Sequence, residues 1–214
     1  MVKRKHRAYE NDYPSVTAVI SQLANYGLME WFKRTPYNQI IEESRRGKQS
    51  GTDTHTAIQN YIETGKAKVS TEYPEEVKTA LFSFCEFRKD FGHIKLRRAE
   101  IPLTSIKYKY NGTIDCISDD IVVDWKSSKC GDKDKPQIYE EAKIQVASYC
   151  YLLNEIENTS INKAIIVSIA KDKIAYNTLE MDKRMIDGYF NEVFLPLLKV
   201  MEFRKNEKEL SKLR

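Results

Sequence analysis

The stretch "GTIDCISDDIVVDWKSSK", residues 112–129, decides the fold. Two short β-branched and apolar runs, "GTIDCI" and "DIVVDW", flank a polar "SDD", the pattern of two strands joined by a tight turn. Side chains alternate across a strand, so Asp124 and Lys126 emerge on one face and Trp125 on the other. If the two strands pair around the Ser118–Asp120 turn, Asp115 lies close to Asp124. Carboxylates on apolar runs are costly unless something positive stands beside them. A hard divalent cation, Mg²⁺ or Mn²⁺, meets that need through oxygen ligands. On these residues alone, a strand end and a solvated Asp124/Lys126 pair is the weightier reading. Asp119 and Asp120, the most conspicuous acids of the stretch, read as turn residues.

Working outward, "KLRRAEIPLTS", "YKYNGTIDCIS" and "DIVVDWKSS" form an antiparallel meander. "KPQIYEEAKIQVASYCYLLNEIE" follows as a long helix, then "KAIIVSIAK" and "KIAYNTLEM" as strands, and a terminal helix from about residue 181. Upstream the period is helical. "PSVTAVISQLANYGLMEWF" starts with Ser15 as N-cap, a second helix covers about 29–46, and "RRGKQSG" interrupts the pattern. "GTDTHTAIQNYIETG" starts a further helix near Thr52 or Asp53 that stops at Gly65, and "PEEVKTALFSFCEFRKDFG" ends at Gly92. The sum is an α/β fold: a single domain with a central mixed β-sheet flanked by helices and a helical N-terminal region. A flexible basic tail over 1–12, with Lys3, Arg4, Lys5 and Arg7, precedes one domain over 13–214. Its helical part covers about 13–93, the sheet core about 94–180 and the C-terminal helix about 181–211.

Composition narrows the class. The 214 residues are 41% hydrophobic and 31% charged, with a net charge of +4, which permits a polyanionic partner without demanding one. No apolar run reaches the roughly 20 residues that span a bilayer, so no membrane role and an intracellular location are expected. Cys85, Cys116, Cys130 and Cys150 form no C-x-x-C pair, which favours buried thiols over a zinc or iron–sulfur site.

Five further patterns stand in order along the chain: "GTDTH" (Gly51–His55), "AEIPL" with Glu100, "GTID" (Gly112–Asp115), "DWK" (Asp124–Lys126) and "QVASY" (Gln145–Tyr149). In that order they resemble the PD-(D/E)xK nuclease superfamily and its RecB-like exonuclease branch. The opening "YPSVTAVI" and "MEWFKR" resemble phage-type and mitochondrial genome-maintenance exonucleases of that branch. The resemblance spans roughly 13–180 and implies a restriction-endonuclease-like core and phosphodiester hydrolysis at DNA ends.

It implies that His55, Glu100, Asp115 and Asp124, with the Trp125 backbone carbonyl, hold one or two Mg²⁺ or Mn²⁺ ions. Lys126 would align or deprotonate a water, and Gln145 and Tyr149 would position the lysine and the DNA backbone. Gly51 would let another backbone approach the His55 helix. The cations Lys33, Arg34, Arg45 and Arg46 would touch DNA, although for any one of them a solvated helix face is the simpler reading. The chain departs from the iron–sulfur members of the branch, because no cysteine cluster follows Cys150, so no cluster is expected. The expected partners are DNA and a single-strand annealing or recombination protein, in a phage or mobile-element setting. Two alternatives stay open: an endonuclease of the same fold, and a catalytically silent nucleic-acid-binding module.

Overall fold

The computed structural model describes residues 12–23 and 26–212, so the basic run Lys3–Arg7 lies outside the described residues. Five strands form one sheet in chain order: β1 (Arg98–Ser105), β2 (Tyr110–Ile117), β3 (Val122–Ser128), β4 (Ala164–Ala170) and β5 (Tyr176–Met181). The meander β1–β2–β3 is antiparallel. Helix α5 (Glu140–Glu157) then carries the chain across so that β4 runs parallel to β3, and β5 returns antiparallel. The sheet is therefore mixed, as the apolar runs predict.

Two cores cover the two faces. On one, Ile114, Val122 and Ile166 pack under α5 with Val146, Leu152 and Leu153, together with Phe190 and Phe194 from the C-terminal region. On the other, Val123, Trp125, Ile165 and Val167 pack beneath α3 (Tyr37–Thr64) and α4 (Glu75–Asp90) through Ile58, Phe84 and Phe87. β4 is buried along its whole length, as a strand covered on both faces must be. The terminal helical region begins as α6 (Lys183–Gly188), capped by Asp182. It passes through a π-helical stretch, Tyr189–Phe194, and continues as α7 (Leu195–Lys212).

The N-terminal helices differ from expectation. Ser15 does cap α1 (Val16–Ile20), its Oγ accepting from the Ala18 N–H at 3.1 Å, but that helix lasts five residues. A separate α2 (Tyr26–Arg34) follows and stops before Pro36, whose ring disfavours a helical residue ahead of it. The expected helix over 29–46 and the break at "RRGKQSG" are both overturned, because Tyr37–Thr64 is one helix of 28 residues. Hydroxyls and an amide brace its glycine-containing middle. Thr54 Oγ1 donates to the Ser50 carbonyl at 2.8 Å, and Gln49 bonds Asp53 one turn on at 2.9 Å. The helix ends at Gly65, whose φ of 69° suits a left-handed C-cap.

Gly47 and Gly51 thus sit mid-helix, where glycine costs up to about 1 kcal/mol relative to alanine. A Cβ at Gly47 meets nothing within 4 Å, and one at Gly51 meets only Ser127 Oγ at 3.8 Å, so neither position is sterically reserved for glycine. This corrects the expected close approach at Gly51. The double replacement Gly47→Ala/Gly51→Ala is expected to raise stability by about 1–2 kcal/mol. Thermal or urea denaturation checks it, and a loss of stability would contradict the steric account.

Candidate active site

The site forms where regular pairing lapses. β2 and β3 pair at Cys116↔Val123 and Ile117↔Val122 and then separate. Into the opening, Asp115 turns its carboxylate to accept the Trp125 backbone N–H through Oδ2 at 2.9 Å. A side chain thereby takes the donor that a ladder would have used. Because the N–H and C=O of a strand residue point to the same side, the Trp125 carbonyl shares that opening. On the far side of β2, the register from Ala99↔Cys116 to Ile101↔Ile114 sets Glu100 opposite Asp115. Glu100 has a φ of 54°, a left-handed conformation that a non-glycine residue holds at a cost of roughly 1–3 kcal/mol.

Helix α3 brings His55 over these two acids. His55 Nδ1 lies 3.5 Å from Glu100 Oε1 and 3.6 Å from Asp115 Oδ1. One ligand atom from each of His55, Glu100 and Asp115 lies within 4.8 Å of the others. Burial pulls the His55 imidazolium down, but Asp115 and Glu100 outweigh it, and the net shift is upward.

Asp124 and Lys126 stand beside this group. Asp124 is fully buried on β3, and Lys126 Nζ lies 2.6 Å from its Oδ2. Burial pushes the Asp124 carboxyl up to about 7, Lys126 pulls it back, and the nearby Asp115 charge pushes the same way as burial. Burial lowers Lys126, but the charges of Asp124 and Asp115 hold it above its ordinary value, so it is an ammonium. Asp124 is not one of the three clustered ligands; in this structure its counter-charge is Lys126.

The donor set suits a hard divalent cation. Apart from one imidazole, every ligand is a carboxylate or carbonyl oxygen. The buried His55 Nδ1 and both Asp124 oxygens lack well-formed hydrogen bonds, a need that a cation with its water shell would meet.

Gln145 and Tyr149 share one face of α5, with Gln145 Nε2 donating to Tyr149 Oη at 2.7 Å. Gln145 lines, with Lys126, Gln137, Tyr139 and Glu141, a cleft of about 270 Å³. Tyr149 is buried against Gly112. A Cβ there would come within 2.9 Å of Tyr149 Cε1 and Leu152 Cδ2, so the glycine that close approach requires is Gly112 rather than Gly51. Trp125 turns away from the acids into the α4 aromatics.

Three of the four expected DNA-binding cations are engaged in ion pairs. Arg46 forks onto Glu76 at 3.2 and 3.3 Å, and Lys33 and Arg34 pair with Glu30 of their own helix. Arg45 is exposed on α3. A cation outside the expected set stands closer to β3: half-buried Lys171 follows β4, and its Nζ donates to buried Ser50 Oγ at 3.1 Å. The signal was a lysine closing a fully buried, mostly apolar strand, "IIVSIAK".

No protein-family model and no curated protein matches the sequence. Among solved structures, a proposed exonuclease from Eubacterium rectale superposes with a TM-score of 0.52 at 13% identity, over 74% of this chain and 68% of that one. An alkaline exonuclease from Laribacter hongkongensis is matched at a TM-score of 0.40 and 11% identity, over 76% and 86%. The first likeness shows a shared fold. Among the described residues no helix is long and apolar enough to cross a membrane.

Proposed function

We propose that the protein is a divalent-metal-dependent deoxyribonuclease of the PD-(D/E)xK type, RecB-like branch, that hydrolyses phosphodiester bonds at DNA ends. The convergence of His55, Glu100 and Asp115 beside the buried Asp124–Lys126 pair carries this reading. His55, Glu100, Asp115 and Asp124, with the Trp125 carbonyl, would hold Mg²⁺ or Mn²⁺. When bound, such an ion polarises a phosphate and lowers the pKa of its water. The chain's own groups supply the rest. Asp115 is locked by the Trp125 N–H, so its free oxygen faces the cluster without side-chain mobility. Lys126, held cationic, places positive charge where a pentavalent phosphate gains negative charge, and it donates rather than removes a proton. Gln145 lines the same cleft as Lys126. Recombination or repair of DNA ends, in a phage or mobile element, is the setting this activity would serve.

End-labelled linear DNA and a covalently closed circle, incubated with Mg²⁺ or with EDTA, test the reading. Linear DNA should be degraded only with the metal, and the circle spared. Cutting of the circle at the linear rate would make the protein an endonuclease. No cleavage with Mg²⁺ or Mn²⁺ would leave a binding module.

A further inference from the structure

Past Lys126, β3 ends at Ser128, with Lys129 just beyond it, and the parallel β4 ends level with it, Ser128 facing Ala170. The Lys171 N–H donates to the Ser128 carbonyl at 3.1 Å, which sets Lys171 on the same rim. At about 3.3 Å per residue, that rim lies roughly 7–10 Å beyond Lys126, on the scale of one nucleotide step. The C-terminal ends of parallel strands are where α/β sheets place ligands.

The rim is also positive and open. Lys171 Nζ rests on Ser50 of α3, and Lys129 is exposed beside it. Burial lowers the Lys171 ammonium. Glu76 opposes this, but Lys129 and Arg46 push further down. Glu76 is taken up by the Arg46 fork, and Asp172, the other acid that acts on Lys171, accepts the Cys130 and Gly131 N–H groups, which leaves two lysines against one carboxylate. On the α3 side, Gly47 and Gly51 present no side chain. The space at Gly47 is empty to 4 Å, and the nearest atom to a Cβ at Gly51 is the Ser127 hydroxyl. Half-buried positive charge, hydroxyls and a wall without side chains together suit a tetrahedral, singly charged phosphodiester on a chain that passes close by.

We propose that Lys171, seated on Ser50 at the rim of β3 and β4 and assisted by Lys129, binds the backbone phosphate next to the phosphodiester that Lys126 faces. The proposal rests on the nuclease reading and names a second contact on the same strand of nucleic acid. Lys171 is a positioning residue, since it stands a nucleotide step from the reacting bond.

The test is fluorescence anisotropy of a short labelled oligothymidylate in EDTA, which withholds cleavage, between about 50 and about 200 mM KCl. Lys171→Gln should weaken binding about tenfold at low salt, the loss of one charge-assisted hydrogen bond. It should reduce the slope of log K against log salt by about 0.7, one single-strand phosphate contact. Lys171→Arg should restore both. With Mg²⁺, Lys171→Gln should raise KM and leave kcat near the parent's. Lys129→Gln, at an exposed position, should lower the slope in the same direction. Parent affinity and slope in both glutamine variants, while the parent still cuts DNA, would overturn the phosphate site and spare the nuclease reading. A parent that neither binds nor cuts would overturn both.

Discussion

Asp115→Asn is expected to retain the fold and lose metal-dependent cleavage by about a thousandfold or more, the several kcal/mol that a correctly held metal contributes to the transition state. The fold survives because Asp115 accepts the Trp125 N–H through one oxygen, and an asparagine carbonyl can accept the same bond. What asparagine cannot supply is the second anionic oxygen beside His55 and Glu100. Thermal denaturation gives a readout independent of activity. Mg²⁺ should raise the parent's Tm and leave the variant's nearly unchanged.

The increment also depends on pH, and its sign follows from two groups. The Asp124 carboxyl titrates at about 7 in the folded chain against an ordinary 3.8, so the folded state binds the extra proton between those values. Metal-free stability therefore falls as pH rises through that window. His55 is raised above its ordinary 6.5, so its contribution is complete below 6.5 and is lost as pH rises through the folded value. Both groups must release protons to ligate, so the Mg²⁺ increment should be larger near pH 8 than near pH 6. An equal increment for parent and variant would remove Asp115 from the metal site.

The sheet was legible because its signal is local. A run such as "AIIVSIA" has one stable home, a strand buried on both faces, and a change from helical period to alternation marks where helices give way to strands. The glycines of α3 misled for the opposite reason. Propensity places a break at "RRGKQSG", yet packing on α4 and side-chain bonds to the helix carbonyls carry the helix through. Asp115, Asp124 and Lys126 could be located by strand alternation. The left-handed backbone of Glu100 could not, because nothing local announces a positive φ at a glutamate. The partners of the cations could not be read, because a positive residue in sequence says nothing about its neighbours. Arg46 meets Glu76, 30 residues away, and that pairing exists only once α3 and α4 pack.

Trp125→Ala is expected to cost about 3–5 kcal/mol, the largest stability loss at any position of the D-W-K strand. Trp125 is 1% exposed, and its ring meets Phe84 and Phe87 edge-on, with centroids 5.4 and 5.7 Å away. Alanine would leave a cavity walled by α4 on one side and the central strands on the other, with no long side chain free to collapse into it. For a domain of this size the loss corresponds to a Tm lower by roughly 6–20 °C. Trp125→Phe separates packing from polarity. Its ring keeps most of the contact and removes the buried indole Nε1–H, which lacks a hydrogen-bond partner among the described residues. The expected cost is therefore smaller, below about 1.5 kcal/mol. A Trp125→Ala protein as stable as the parent would mean that α4 does not hold this strand. The consequence reaches the site, because the strand that buries Trp125 on one face presents Asp124 and Lys126 on the other and gives its N–H to Asp115. The aromatic core under α4 is thus what keeps the carboxylates in register. Trp125→Ala should lose activity well below its unfolding temperature, whereas Trp125→Phe should keep most of it.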